Sequence, residues 1–187
     1  MKLNVFQQEV KRTNPKLEEK FPCLDAELAN SLHMALGMVT EWEELVDAVE
    51  NIDKPNIGEE LADGLWYAAN EATNIGMDLD DYEFPKPQRA TIGNAVIVVG
   101  KNACRYADLV KKQFAYGKVI LERDKQEALI MYLNSVGHVA HYLRVDLEQA
   151  MQNVVDKLYI RFPVEKGFNE ESANNRDLIS ERKELEK

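Results

Sequence analysis

The feature that most constrains this chain is the recurrence of apolar residues at alternating steps of four and three through several long segments. From Asp25 to Asn51, the positions Leu28, Leu32, Ala35, Val39, Trp42, Val46 and Val49 draw one stripe down a helix face. A second stripe, Leu61, Leu65, Ala68, Ala72 and Ile75, runs through about 57–75 and stops at Gly76, which is placed as a C-terminal helix cap. A third, Ile92, Val96, Val99, Ala103, Tyr106 and Val110, occupies about 91–116 and ends at Gly117. Further helices are expected over about 124–143 and from an Asp146 cap to about residue 162, before Pro163. Short ones are expected over 5–12 and from Asp177 onward. Lys54-Pro55-Asn56 reads as a break between the first two long helices, and 78–88, with Pro85 and Pro87, as a loop. No segment alternates with period two for long enough to form a strand. Long helices with one apolar face each and short connections predict an all-α, antiparallel four-helix bundle core with additional short terminal helices. Residues 1–168 form the expected domain, and 169–187 a polar, charged C-terminal extension.

Charge excludes some partners. With 33 acids against 23 bases the net charge is −10, so no broad basic face is expected and nucleic acid is not a predicted partner. A phosphorylated small molecule remains compatible, because a divalent cation can bridge two sets of negative charge. The longest apolar run, Ala95 to Val99, is too short to cross a bilayer. The first residues lack the apolar stretch of a secretory leader, so a cytoplasmic protein without a membrane partner is expected. Cys23 and Cys104 stand in no metal-like spacing and read as small packing residues.

Chemistry concentrates in four acids. Glu41 and Glu44 sit three apart on the first long helix, and Glu60 and Asp63 three apart on the next. Residues at i and i+3 share a face, and a rise of about 1.5 Å per residue brings both pairs to similar heights in a hairpin. Four carboxylates so placed repel unless protonated or bridged, and Mg²⁺ is the hard, oxygen-seeking cation that suits them. Spacing alone leaves open a solvated charge cluster, the ordinary fate of helical acids. Gly37 lies on the same ridge as His33, Glu41 and Glu44, leaving room for something to approach. Tyr67 continues the Asp63 face.

The run from His33 through Glu41-Trp-Glu-Glu44-Leu, then Glu60-Leu-Ala-Asp63 and Leu65-Trp66-Tyr67, resembles the MazG-like all-α NTP pyrophosphatases, whose hallmark is E-x-x-E, a spacer, then E-x-x-D. Asn153-Val-Val-Asp-Lys157-Leu-Tyr-Ile-Arg161-Phe-Pro, ending in Gly167-Phe168, resembles a second block of that family, and Gln7 to Thr13 its lead-in helix. The resemblance implies Mg²⁺-dependent hydrolysis of an NTP or dNTP to the monophosphate and pyrophosphate, with Glu41, Glu44, Glu60 and Asp63 as metal ligands. It also implies Lys157, Arg161 and Asn153 near the phosphates, Tyr67 and His33 on the substrate side, and a homo-oligomer, dimer or tetramer. Glu44 is one candidate for the base, and Trp66, Lys54 and Asn56 are weaker site candidates, with Lys111 and Lys112 behind them. A pyrimidine-specific dCTP or dUTP pyrophosphatase is the alternative within that class, and a non-catalytic helical interaction module of the same fold the alternative outside it. A di-iron bundle is disfavoured, since it needs Glu-x-x-His pairs and neither His138 nor His141 has a Glu three residues earlier.

Overall fold

The computed structural model describes residues 25–86, 90–163 and 168–186. Among them are α1 (Ala26–Glu50), α2 (Lys54–Asn74), α3 (Ile92–Tyr116), α4 (Glu122–Leu143), α5 (Leu147–Arg161), α6 (Glu170–Asn174) and α7 (Leu178–Leu185), and no strand. The helix expected over 5–12, the lead-in match and Cys23 lie outside the described residues.

Helix ends follow local chemistry. The Asp25 carboxylate accepts the Leu28 amide at 2.6 Å, and Asp146 accepts the amides of Glu148 and Gln149. Gly76 and Gly117 take positive φ values of 63° and 64°, closing α2 and α3 in the conformation that costs glycine least. Lys54-Pro55-Asn56 does not break the chain but opens α2, with Asp53 as cap and Pro55 in the first turn. A proline there gives up an amide that has no intrahelical partner anyway. The turn is therefore only 51–53, with Ile52 at φ 56°.

The four long helices close into a ring: α1 packs on α2 and α3, and α4 packs on the same two from the other side. Met38, Leu61, Ala68, Val99, Tyr106 and Val136 fill its centre. The second and third stripes point inward as expected, except for exposed Ile92. On α1 the buried apolar side chains are Met34, Ala35, Met38, Leu45 and Ala48; of the expected stripe only Ala35 is among them, and the rest is partly buried along their flank. Because α1 faces two neighbours, its apolar surface is wider than one stripe, and the centre falls between. Gly100 lets α3 approach Trp42 so closely that an added Cβ would sit 2.1 Å from the indole. That indole donates to the Val96 carbonyl at 2.9 Å.

One polar knot ties the ring together. Glu71, fully buried on α2, accepts from the Ser31 hydroxyl at 2.8 Å and the Tyr106 hydroxyl at 2.5 Å, with Asn74 on its other oxygen. Each partner meets a carboxylate that would otherwise carry a large desolvation penalty. Outside the ring, α5 lies on α2 through Ala62, Ala150 and Val154, and α7 lies on α5 and touches α2. Among the described residues no helix is long and apolar enough to cross a membrane.

Candidate active site

Where α1, α2, α5 and α7 meet, they enclose a cavity of about 530 Å³. Glu41, Glu44, Glu59, Glu60 and Asp63 in its lining all come from the α1–α2 hairpin. The short turn sets the two helices antiparallel, and the small residue Gly64 keeps them close to α4: a Cβ there would meet the Tyr132 hydroxyl at 2.4 Å. Glu41, Glu60 and Asp63 consequently offer carboxylate oxygens that all lie within 4.8 Å of one another. Glu44 lines the same cavity but stands outside this group and is exposed. Three of the four expected ligands are thus gathered, and the fourth lies beside them.

The electrostatics of this group are those of a site short of positive charge. Burial raises Glu41, and the Asp63 and Glu44 charges raise it further. Glu60 is raised more strongly, by burial, by its hydrogen bond to Glu41 and by the surrounding acids. The Glu41–Glu60 pair therefore holds a proton where ordinary carboxyls would have lost it. Asp63 is also raised, by burial that outweighs the neighbouring Lys157. A divalent cation relieves all three penalties at once, and three hard oxygens from two rigid helices suit Mg²⁺, which keeps water in its remaining positions. By that test the donor set fits the metal.

The expected phosphate contacts are placed less simply. Lys157 reaches in from α5 with its side chain 2% exposed and pairs with Glu59 at 2.8 Å and Asp63 at 2.5 Å. Burial alone would lower its pKa, but those two carboxylates raise it, so it stays charged as their counterion. Lys157 lines the cavity, but its ammonium is already engaged by two carboxylates. Arg161 lines the cavity, gripped by Glu181 through Nε and Nη2 at 2.9 and 2.6 Å. Asn153 does not line it. It is buried in a smaller adjacent pocket and accepts from Gln149. Tyr67 and His33 do line it, ring edge to face at 5.7 Å, with Trp66 against Tyr67. The space that Gly37 was expected to leave is filled by Tyr67 itself, whose ring would lie 2.3 Å from a Cβ. Asn56 also faces the cavity and Lys54 the smaller pocket. Lys111 and Lys112 pair with Asp108 on α3, and neither His138 nor His141 reaches the cavity.

Sequence reasoning missed one whole wall. Arg176, Glu181 and Arg182, in the segment expected to be a polar extension, line the same cavity as the acids. Arg182 binds both oxygens of Asp53, at 2.9 and 3.2 Å, anchoring α7 to the α1–α2 turn. Phe162 and Phe168 stack at 5.3 Å on the rim. Glu59 was missed as well. It stands four residues before Asp63, on the same helix face, a signal outside the three-residue spacing of the two pairs, and Lys157, 98 positions later, binds both.

Residues 29–83 match the family model of the MazG nucleotide pyrophosphohydrolase domain, a span that takes in nearly all of α1 and the whole of α2, and so all four acids. No curated protein and no solved structure matches the chain.

Proposed function

We propose that this chain, MazG-like by family, hydrolyses nucleoside triphosphates to the monophosphate and pyrophosphate with Mg²⁺ held by Glu41, Glu60 and Asp63. The observation that carries the reading is the gathering of those three oxygens within 4.8 Å, in the segment that matches the family, in the lining of a cavity large enough for a nucleotide. The family gives the class, nucleotide pyrophosphohydrolase. The metal, the residue roles and the substrate are the proposal.

Bound there, Mg²⁺ neutralises phosphate charge and acidifies water. The remaining work falls to the chain. Glu44, lining the cavity outside the ligand group, takes the proton of the attacking water. Burial and then the Glu43, Asp63 and Glu59 charges raise its pKa, which makes it a better base than a free carboxylate. The water oxygen adds to phosphorus, the α–β anhydride bond breaks, and the electron pair leaves on pyrophosphate. Lys157 holds Asp63 and Glu59 in place as the charge shifts. His33, Tyr67 and Trp66 supply a partly apolar wall against which a base can pack.

We also take the chain to act in the cytoplasm as a homo-oligomer, a dimer or tetramer. Exposed Ile92, Ile97 and Val98 on α3 and Ile130 and Met131 on α4 support the second point. A monomer by light scattering at assay concentration would remove it. The enzymatic reading is tested by measuring pyrophosphate release from a panel of ribo- and deoxynucleotides, with Mg²⁺ and with chelator. Turnover is expected only with Mg²⁺, and Glu41→Ala or Asp63→Ala abolishes it while helical circular dichroism stays the same. Undiminished turnover in both variants would sink the assignment.

A further inference from the structure

The cavity is also lined by a charged cluster that ties α5 to the C-terminal segment. Glu181 on α7 has its side chain only 3% exposed and accepts from two guanidinium groups. Arg161 binds it through Nε and Nη2, on both oxygens. Arg176 binds it through Nε at 3.1 Å and Nη2 at 2.8 Å, on one oxygen. Burial would raise this carboxyl, but the two arginines outweigh burial and hold it below the usual range, so it stays ionised.

Two guanidinium groups on one carboxylate leave one positive charge in excess. Each guanidinium carries five N–H donors. The bonds to Glu181 use the Nε and Nη2 edge of each, and among the described residues Nη1 of neither has an acceptor. Arg176 is 41% exposed in its side chain, and both arginines line the same cavity as Glu41, Glu60 and Asp63. Their charges already reach across: Arg176 lowers Glu44, and Arg161 lowers Asp63. A structural ion pair needs one arginine, whereas this carboxylate holds two, and both line the same cavity.

We propose that Arg176, clamped beside Arg161 by the buried carboxylate of Glu181, binds the terminal phosphates of the substrate and so makes the enzyme selective for triphosphates. The inference rests on the pyrophosphohydrolase reading for the identity of the substrate, though not for the presence of an anion site. A triphosphate spans more negative charge than a three-carboxylate metal site can balance. The part that leaves as pyrophosphate suits the planar, bidentate donors that a guanidinium offers. Glu181 is a positioning residue: it touches no substrate and sets the direction of two arginines.

The test uses the full chain with Mg²⁺ and inorganic tripolyphosphate as the probe, by titration calorimetry, alongside nucleotide kinetics. Arg176→Ala leaves the Arg161–Glu181 and Arg182–Asp53 pairs intact, so the fold should hold. It is expected to weaken tripolyphosphate at least about tenfold, the loss of one charged hydrogen-bond contact. KM for triphosphates should rise by a similar factor with kcat within about threefold. Arg176→Lys should recover part of the loss, because it restores the charge without the fork. Glu181→Ala should also weaken the probe. Stronger binding in that variant would mean Glu181 stands in for phosphate as a blocking group, and would overturn the proposal. Wild-type tripolyphosphate affinity in Arg176→Ala would overturn it too, whatever the kinetics, as would failure of the wild type to bind. If the probe binds, depends on Arg176, and yet no nucleotide is cleaved, the pyrophosphohydrolase reading fails and the anion site stands.

Discussion

Lys157 is the point at which stability and function meet, and replacing it with methionine tests both. The apolar substitute keeps most of the volume, so the variant removes charge without opening a large cavity. In the wild type the ammonium, 2% exposed, satisfies Glu59 and Asp63, whose side chains are 11% and 22% exposed. All three lie well below the exposure at which solvent would screen the interaction away. Removing one partner of a buried ion pair costs about 3–5 kcal/mol, because an unpaired charge is left behind. For a chain of 187 residues each kcal/mol lowers Tm by about 2–4 °C, giving a drop of roughly 6–20 °C. Thermal unfolding by circular dichroism in chelator reads this directly. Mg²⁺ at about a hundred times its Kd should return about 2.7 kcal/mol. Glu59→Gln in the same background should return part of the rest, since it deletes one of the two stranded acids. A Tm in chelator within about 2 °C of wild type would refute the claim that this lysine balances the acid cluster.

Two further outcomes follow from the geometry. Gly100→Ala forces a Cβ to 2.1 Å from the Trp42 indole; overpacking of about 1–3 kcal/mol should outweigh the helix-propensity gain of about 1 kcal/mol. Gly93→Ala, with nothing within 4 Å, should be neutral or stabilising, and denaturant unfolding showing both variants equally stable would contradict the close packing of α1 on α3. The third outcome concerns pH. Glu41 is pushed up to about 7 from an ordinary 4.5, and Glu60 is raised further. The metal-free fold holds protons that the unfolded chain would release, so its stability should fall as pH rises through that window. Metal binding must expel those protons, so Mg²⁺ affinity should climb with pH, by up to about tenfold per unit for each proton released. Calorimetry giving a flat affinity across neutral pH would argue against carboxylates as the ligands.

Helices were legible because each carries a local period, and the acid pairs because both sit on sequential helices joined by a short turn. Pro55 misled, since a proline that breaks a helix and one that starts it look alike until Asp53 is seen to cap the next turn. Glu71 looked like any helical acid, and only its three-sided contact with Ser31, Asn74 and Tyr106 explains its burial. The basic wall was illegible for a related reason. Glu181 and Arg161 are 20 positions apart, and Arg182 and Asp53 are 129 apart. No periodicity reports a charge pair across that distance, and a segment rich in both signs reads as solvated. Lys157 was legible as a residue but not in its partner, because a lysine on a helix face gives no sign of whether carboxylate or phosphate awaits it.

The distance between Lys157 and the acids it balances, 94 and 98 positions, has a consequence for how the molecule comes into being. During synthesis α1 and α2 leave the ribosome long before α5, and the acids on them must wait. Protonation, bound cations or solvent exposure must carry that charge in the interval, even though Ser31, Glu71 and Asn74 can already bond within the same hairpin. The anionic half of the site is the first part made, and it becomes a rigid half only when α5, late in the chain, arrives to close over it.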